Sequence, residues 1–306
     1  MMLSLLSLLL LAHVWLVIPS RSPDDIIIQK NIFILAGQSN MAGRGGVVNN
    51  VWDGIVPPEC QPKPSILRLS AGLVWQEAHE PLHADNDFNR TCGVGPGMAF
   101  ANAVLENDSS FGVLGLVPCA VGGTGISKWS RGTSLYNDLV RRAEVALLDG
   151  GTIRGILWYQ GENDTISRID ADLYKQRLEK FFLDLRTDLQ SPLLPIFQVA
   201  LASGQGPFKE TVREAQLGIN LPNVICVDAK GLPLEPDGLH LSTRAQVRLG
   251  EMLADAFLQT IPSPILNNAP RRFTYSVSNF LIGLLFTSLL VILTVDQSLM
   301  MQICPK

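Results

Sequence analysis

Short, almost continuously apolar segments alternate along this chain with longer segments in which apolar residues recur at helical spacing. The strand-like segments are residues 32–36, 113–117, 153–159, 196–201 and 224–227, and the helical patterns cover 135–147, 169–189 and 243–258. Continuous apolar character without alternation is typical of strands that are buried on both faces. Strands that alternate with helices predict an α/β fold, in which helices cover both sides of a parallel sheet.

The two ends of the chain differ in composition from the middle. Residues 3–18 are apolar and are followed by polar residues, which predicts a signal peptide over residues 1–22, with an uncleaved anchor as the alternative. The tail, residues 261–306, contains an apolar segment at 280–295 that is shorter than the roughly 20 residues of a usual spanning helix. This segment is a weak membrane tether, a removed signal or an atypical end. Between the two ends, residues 31–260 are expected to form one domain.

Charge and glycan acceptors restrict the class of protein. The formal net charge is −4 and no run of Lys or Arg occurs, so a nucleic acid is not expected as a partner. The triplets that begin at Asn89 and Asn107 are acceptors for N-linked glycans. Together with the leader they predict a secreted glycoprotein, which in a plant would reside in the cell wall or apoplast.

The cysteines predict at most two disulfides. The chain has five cysteines, and an odd number leaves at least one thiol unpaired. Cys60 and Cys92 lie in loop-like sequence and form the favoured pair. Cys119 and Cys226 fall in apolar, strand-like sequence, so we expect them to be buried thiols.

Ser39 follows the first strand-like segment directly, with Gly37 two residues before it and small residues after it. Ligands of parallel sheets bind at the carboxyl ends of the strands, which makes this serine a candidate nucleophile. Capping of the next helix is the alternative. Gly122 and Gly123 follow the second strand, where their backbone N–H groups can face a ligand without obstruction, although a turn without function is also compatible.

The most informative local pattern is Asp237 and His240, three residues apart in a loop before the last helical pattern. A serine hydroxyl needs an adjacent base, and that base needs a carboxylate to orient it. Alone, this pattern is common, and it would be interpreted by default as part of a surface loop or as a metal ligand. Its position after the last strand, with Ser39 after the first, favours a catalytic triad. No cluster of His, Cys and Asp has metal-ligand spacing, so we expect no metal.

A long segment without periodicity, residues 48–97, separates the first two strands that the pattern predicts. Loops of this length in compact domains are usually functional or disordered. This one contains Trp52, Trp75, His79 and His83, so we expect it to form a wall of the substrate site.

Four motifs together resemble the SGNH/GDSL hydrolases: residues 37–41 (GQSNM), 121–124 (VGGT), 158–162 (WYQGE) and 237–240 (DGLH). The likeness is greatest to the carbohydrate esterase branch, which includes sialate O-acetylesterase-like proteins and plant carbohydrate esterases. It covers residues 31–260. This resemblance implies a three-layer α/β/α sandwich with a flavodoxin-like parallel sheet of about five strands. Gln38 stands where the GDSL name requires Asp, a position that need not take part in the reaction.

The resemblance also implies roles for single residues. Ser39 is the nucleophile, His240 the general base and acid, and Asp237 its orienting partner. The oxyanion is expected to bind to the backbone N–H groups of Ser39 and of the turn at Gly122 and Gly123. The third donor is expected to be Gln160, with Asn163 as the alternative. Substrate contacts are expected from the side chains of Gln38, Trp75, His83 and Glu162.

The implied reaction is removal of O-acetyl groups from an acetylated polysaccharide or glycan through an acetyl-enzyme, without a cofactor. A lipase or thioesterase of the same superfamily is one alternative, and it would need a long apolar acyl pocket. A carbohydrate-binding protein that has lost catalysis is the other. Retention of Ser39, Asp237 and His240 argues against that second alternative, because a protein without catalysis need not keep all three.

Overall fold

The computed structural model describes residues 29–261. The expected signal peptide, residues 1–22, and the apolar segment 280–295 therefore lie outside the described residues. Within residues 29–261, no helix is both long enough and apolar enough to cross a membrane.

Seven strands form the main sheet, in the order β5-β4-β6-β1-β7-β8-β9, and β2 pairs with β3 in a separate hairpin. All neighbours in the main sheet are parallel except β4 and β5. The nine strands are β1 Lys30–Gly37, β2 Val47–Val48, β3 Val51–Trp52, β4 Ile66–Leu69, β5 Trp75–Glu77, β6 Val113–Pro118, β7 Thr152–Tyr159, β8 Ile196–Ala200 and β9 Val224–Asp228.

The expectation of about five strands was too low. The five segments found by apolar character are β6, β1, β7, β8 and β9, which are adjacent in the sheet. The two missed strands, β4 and β5, lie within residues 48–97. They are short, and β5 is half exposed at the edge of the sheet, so neither shows the long apolar run of a central strand. This segment is therefore partly sheet and not only a loop.

Six α-helices occur within residues 29–261. They are α1 Ser39–Ala42, α2 Pro96–Asn107, α3 Ser134–Leu148, α4 Arg168–Asp188, α5 Lys209–Leu217 and α6 Thr243–Leu258. Two of them begin with a side-chain cap that the sequence contains. Ser167 accepts a hydrogen bond from the N–H of Asp170 in α4, and Ser242 accepts one from Ala245 in α6.

The helices cover both faces of the sheet. Phe33 of β1 packs against Phe100 of α2 and Phe257 of α6, with ring centroids 4.8 and 4.9 Å apart. Trp158 of β7 packs against Phe181 of α4 at 4.6 Å, and its register with β1 places it on the opposite face from Phe33. Helices α3 and α5 lie with α4 on this second face. The predicted three-layer α/β/α sandwich is confirmed.

The expected disulfide between Cys60 and Cys92 is not formed. Both thiols are free, as are those of Cys119 and Cys226. Cys60 is fully buried in the core, whereas the Sγ of Cys92 accepts a hydrogen bond of 3.3 Å from Arg44. Burial raises the pKa of the Cys92 thiol to about 11, so it is protonated at neutral pH.

Candidate active site

A close approach of the neighbouring strands β1 and β7 positions Ser39. Gly37 has a φ of +129°, and a Cβ atom at this position would lie 2.1 Å from the carbonyl oxygen of Tyr159. Only glycine allows the two strands to approach this closely. The N–H of Gln38 then donates to the same carbonyl at 2.9 Å. The chain turns here, and Ser39 begins α1 at the carboxyl end of the sheet.

The structure brings Ser39, His240 and Asp237 together. Ser39 Oγ lies 3.0 Å from His240 Nε2, and His240 Nδ1 lies 2.6 Å from Asp237 Oδ2. An ionised carboxylate can only accept, so Nδ1 carries the proton and Nε2 is free to accept from the serine hydroxyl. The second carboxylate oxygen of Asp237 accepts the backbone N–H groups of Leu239 and His240, at 2.9 and 3.0 Å.

These contacts set the protonation state of Asp237. Partial burial raises the pKa of this carboxyl, but the hydrogen bonds from the two backbone N–H groups and from the imidazole of His240 outweigh it. The pKa of Asp237 is therefore below its ordinary value. The carboxylate remains ionised at neutral pH and can stabilise an imidazolium beside it.

Asn40 connects the nucleophile to the loop that carries His240. Its Oδ1 accepts from the N–H of Leu241 at 2.8 Å, and its Nδ2 donates to the carbonyl of Leu239 at 3.4 Å. Nδ2 also donates to Glu162 Oε1 at 2.7 Å. The residue after Ser39 thus holds the backbone on both sides of His240. Sequence reasoning missed this role, although Asn40 stands within the GQSNM motif.

The turn after β6 offers one of the two oxyanion donors expected there. Within residues 29–261, the N–H groups of Ser39 and Gly123 make no hydrogen bond, and both residues line the same cavity. The N–H of Gly122, in contrast, donates to Asp87 Oδ2 at 3.2 Å. The same carboxylate oxygen accepts from buried Arg44. The prediction for Gly122 as a donor is therefore wrong in this arrangement, while Gly123 is available.

Gln160 does not act as the third donor in this structure. Its side chain is fully buried, and its Nε2 donates to the carbonyl of Thr124 at 2.9 Å and to Asp164 at 2.6 Å. Both amide protons are therefore used inside the protein, and the expected role is corrected. The alternative donor, Asn163, donates to Gln205 Oε1 at 3.3 Å and faces a neighbouring cavity.

The cavity beside Ser39 has a volume of about 330 Å³ and a largely polar lining. Ser39, Asp237, His240, Gly122 and Gly123 line it. The other lining residues are Arg44, Val47, Asn49, Asn50, Arg90, Thr91 and Gln205. Four of these residues belong to the segment 48–97, which was expected to form a wall. The wall is thus present, but amide, hydroxyl and guanidinium side chains build it in place of the aromatic residues and histidines that sequence reasoning singled out.

None of the four side chains expected to contact substrate lines this cavity. Gln38 and Glu162 are fully buried beneath it, and burial raises the pKa of Glu162 to about 7. His83 is buried too, 3.5 Å from the carbonyl of Leu35, and burial lowers its pKa to about 3. Trp75 lies in the edge strand β5, under the ammonium group of Lys30 at 5.4 Å. Lys30 begins β1, at the opposite end of the sheet from Ser39.

The described residues contain no group of three His, Cys, Asp or Glu side chains that could hold a metal ion.

Comparison with known proteins identifies the family. Residues 29–259 match the family described as carbohydrate esterase, sialic acid-specific acetylesterase. A probable carbohydrate esterase of Arabidopsis thaliana is 60% identical over 236 residues, which cover 74% of this chain and 90% of that protein.

Solved structures agree with the fold. An Arabidopsis thaliana protein solved at 1.6 Å is 55% identical, with a TM-score of 0.75, and the match covers 77% of this chain and all of that one. The structure of NanS is 20% identical, with a TM-score of 0.59, over 76% of this chain and 97% of that one. The chain belongs to the family described as carbohydrate esterase, sialic acid-specific acetylesterase.

Proposed function

We propose that this protein is a serine esterase that removes O-acetyl groups from carbohydrate by way of an acetyl-enzyme. The observation that carries the proposal is the pair of contacts at His240, 3.0 Å to Ser39 Oγ on one side and 2.6 Å to Asp237 on the other. Both distances lie within hydrogen-bond reach, as nucleophilic catalysis by serine requires.

The first half of the reaction acylates Ser39. His240 Nε2 takes the hydroxyl proton while Oγ attacks the acetyl carbonyl carbon, and Asp237 stabilises the imidazolium that forms. The carbonyl oxygen becomes an oxyanion, which the N–H groups of Ser39 and Gly123 can bind. When the tetrahedral intermediate collapses, the C–O bond to the sugar breaks, and the sugar oxygen leaves with the proton from His240.

The second half regenerates the enzyme. His240 now takes a proton from water, whose oxygen attacks the acetyl-enzyme. The new tetrahedral intermediate uses the same two N–H groups, and its collapse releases acetate and returns the proton to Ser39 Oγ. No step needs a group beyond these residues and water.

The lining of the cavity supports a short acyl group on a polar alcohol. Val47 is its only aliphatic side chain, and its volume of about 330 Å³ is at the small end of ligand pockets. A lipase or thioesterase would need a long apolar channel for its acyl chain. The amide, hydroxyl and guanidinium groups around Ser39 suit the hydroxyls of a sugar instead.

The test is hydrolysis of a chromogenic aryl acetate and of acetylated xylan and pectin by purified protein. Replacement of Ser39 by Ala is expected to lower kcat by a factor on the order of 10⁴ or more, as loss of a triad serine does. Circular dichroism would establish that the variant is folded. Unchanged turnover in the folded Ser39→Ala protein would refute the proposal.

We also propose that the protein is exported and glycosylated. The acceptor side chains of Asn89 and Asn107 are exposed, so a glycan could be attached at either without disturbing the core. Mass spectrometry of protein from its native host is expected to find a mature chain that begins near Ser20 to Ser22 and carries glycans. An intact Met1 without glycans would contradict this.

A further inference from the structure

A second cavity of about 470 Å³ lies beside the active site. Gly123 lines both cavities, and the hydrogen bond of 3.3 Å between Asn163 and Gln205 joins a lining residue of the second cavity to one of the first. Gly123 is exposed, has a φ of +72° and places no side chain of its own between the two cavities. One ligand of sufficient length can therefore occupy both.

The chemistry of the second cavity suits hydroxyl groups. Its lining includes the exposed side chains of Ser127, Lys128 and Ser134, which make no side-chain hydrogen bond or ion pair within the described residues. Leu135 is the only large apolar residue in the lining. The cavity therefore offers two hydroxyls and an ammonium group, and each of them can bond to a sugar hydroxyl.

A fixed carboxylate forms the inner part of this cavity. Asp164 is buried and accepts hydrogen bonds from Gln160 at 2.6 Å and from the N–H of Ile126 at 3.0 Å. Trp129 Nε1 holds Thr124 Oγ1 at 3.1 Å, so the loop between Gly123 and the start of α3 is tied down. A volume of about 470 Å³ lies within the range of specific ligand pockets.

We propose that the second cavity binds a neighbouring sugar unit of an oligosaccharide or polysaccharide whose acetylated unit occupies the cavity beside Ser39. This inference rests on the proposed esterase function. A single acetylated sugar would fill the cavity beside Ser39 and leave the hydroxyl and ammonium groups of the second cavity without a bonding partner. The substrate class is thus a carbohydrate chain of at least two units and not a free monosaccharide.

The experiment compares kcat/KM for acetylated mono-, di- and trisaccharides, taken from xylan or pectin, whichever the wild-type protein hydrolyses faster. The wild-type value is expected to rise about tenfold from one unit to two, because several hydrogen bonds to the second unit are added. Ser134→Trp places an indole at the second cavity and is expected to remove this rise. Asn137→Trp, one turn later on α3 and outside the cavity, is the matched control and is expected to retain it.

Each outcome decides the inference. A wild-type kcat/KM that does not depend on chain length would overturn it, as would a Ser134→Trp protein that keeps the full rise. If Ser134→Trp lowers kcat/KM by the same factor for every chain length and for an aryl acetate, the rise with chain length is retained. The substitution would then act on Ser39 and not on a second sugar unit, and the inference would also be overturned. Failure of wild-type protein to hydrolyse any acetate would instead refute the proposed function on which the inference rests.

Discussion

Glu162 accepts a buried hydrogen bond of 2.7 Å from the side-chain amide of Asn40, the residue that follows the nucleophile. The same amide group reaches the backbone on both sides of His240. The position of the base relative to Ser39 therefore depends on a side chain that touches neither the hydroxyl nor the imidazole. We therefore infer that Asn40, held by Glu162, positions His240.

The first prediction concerns Asn40. Asn40→Ala removes the two bonds that hold the loop at His240, and we expect kcat to fall about 10²-fold because a displacement of about 1 Å has this effect. KM should change little, since Asn40 does not line the cavity. Steady-state kinetics on an aryl acetate measures both parameters. Asn137→Ala, an exposed asparagine of α3, is the control. A larger change in KM than in kcat would argue against a positioning role.

The second prediction concerns Asp237. Asp237→Asn removes the counter-charge and the control of the imidazole tautomer, so kcat should fall by about 10³–10⁴. Because the pKa of Asp237 lies below its ordinary value, the carboxylate is ionised from mildly acidic to neutral pH. The loss should therefore be present in full at neutral pH, well above the usual pKa of a carboxyl, where the wild-type enzyme has its charged partner. An Asp237→Asn protein with wild-type kcat at neutral pH would contradict the prediction.

The third prediction concerns the buried pair of Arg44 and Asp87, which also holds the turn at Gly122. Asp87→Ala leaves a buried guanidinium without its partner, and we expect the free energy of unfolding to fall by about 3–5 kcal/mol. Asp138→Ala breaks an exposed pair with Arg141 on α3 and should cost at most about 1 kcal/mol. Chemical denaturation of both variants measures the difference. Equal effects would show that burial of the pair is unimportant.

The fourth prediction concerns stability and pH. Burial raises the pKa of Glu80 to about 8, of Glu162 to about 7 and of Asp164 to about 6. In the folded protein these carboxyls keep protons that the unfolded chain has released. Ionisation of these three carboxyls should therefore lower stability as pH rises from about 4.5, the ordinary value for glutamate, to about 8. It outweighs the opposite effect of buried His83, which applies only below about pH 6.5.

Glu80→Gln tests this pH dependence. The variant cannot ionise at this position, so the decrease in Tm between pH 5 and pH 8.5 should be smaller than in the wild-type protein. The readout is the difference between the Tm at pH 5 and the Tm at pH 8.5 of the same protein. Absolute Tm values are not compared, because the substitution itself changes stability at every pH. Glu106→Gln, on the exposed end of α2, is the control and should leave the decrease unchanged. A wild-type Tm that rises over this range would contradict the sign of the prediction.

Local patterns in the sequence were sufficient for the central sheet and for the proximity of Ser39, Asp237 and His240. Strands buried on both faces must be almost wholly apolar, so β1 and β6 to β9 stand out in the sequence. Asp237 and His240 are three residues apart in one loop, so their contact depends on local geometry alone. Ser39 joins them because parallel strands end at the same edge of the sheet.

Tertiary structure decided which polar groups are free to bond to a ligand in the cavity beside Ser39. Gln160 follows β7 directly, as a donor would, yet its amide donates to the carbonyl of Thr124, 36 residues earlier in the chain. Gly122 and Gly123 are alike in sequence, but the carboxylate of Asp87 engages one and leaves the other available. Such partners are distant along the chain and become neighbours only when the layers pack. Hydrogen-bonding capacity is a property of the residue, whereas its use depends on what the fold brings within about 3 Å.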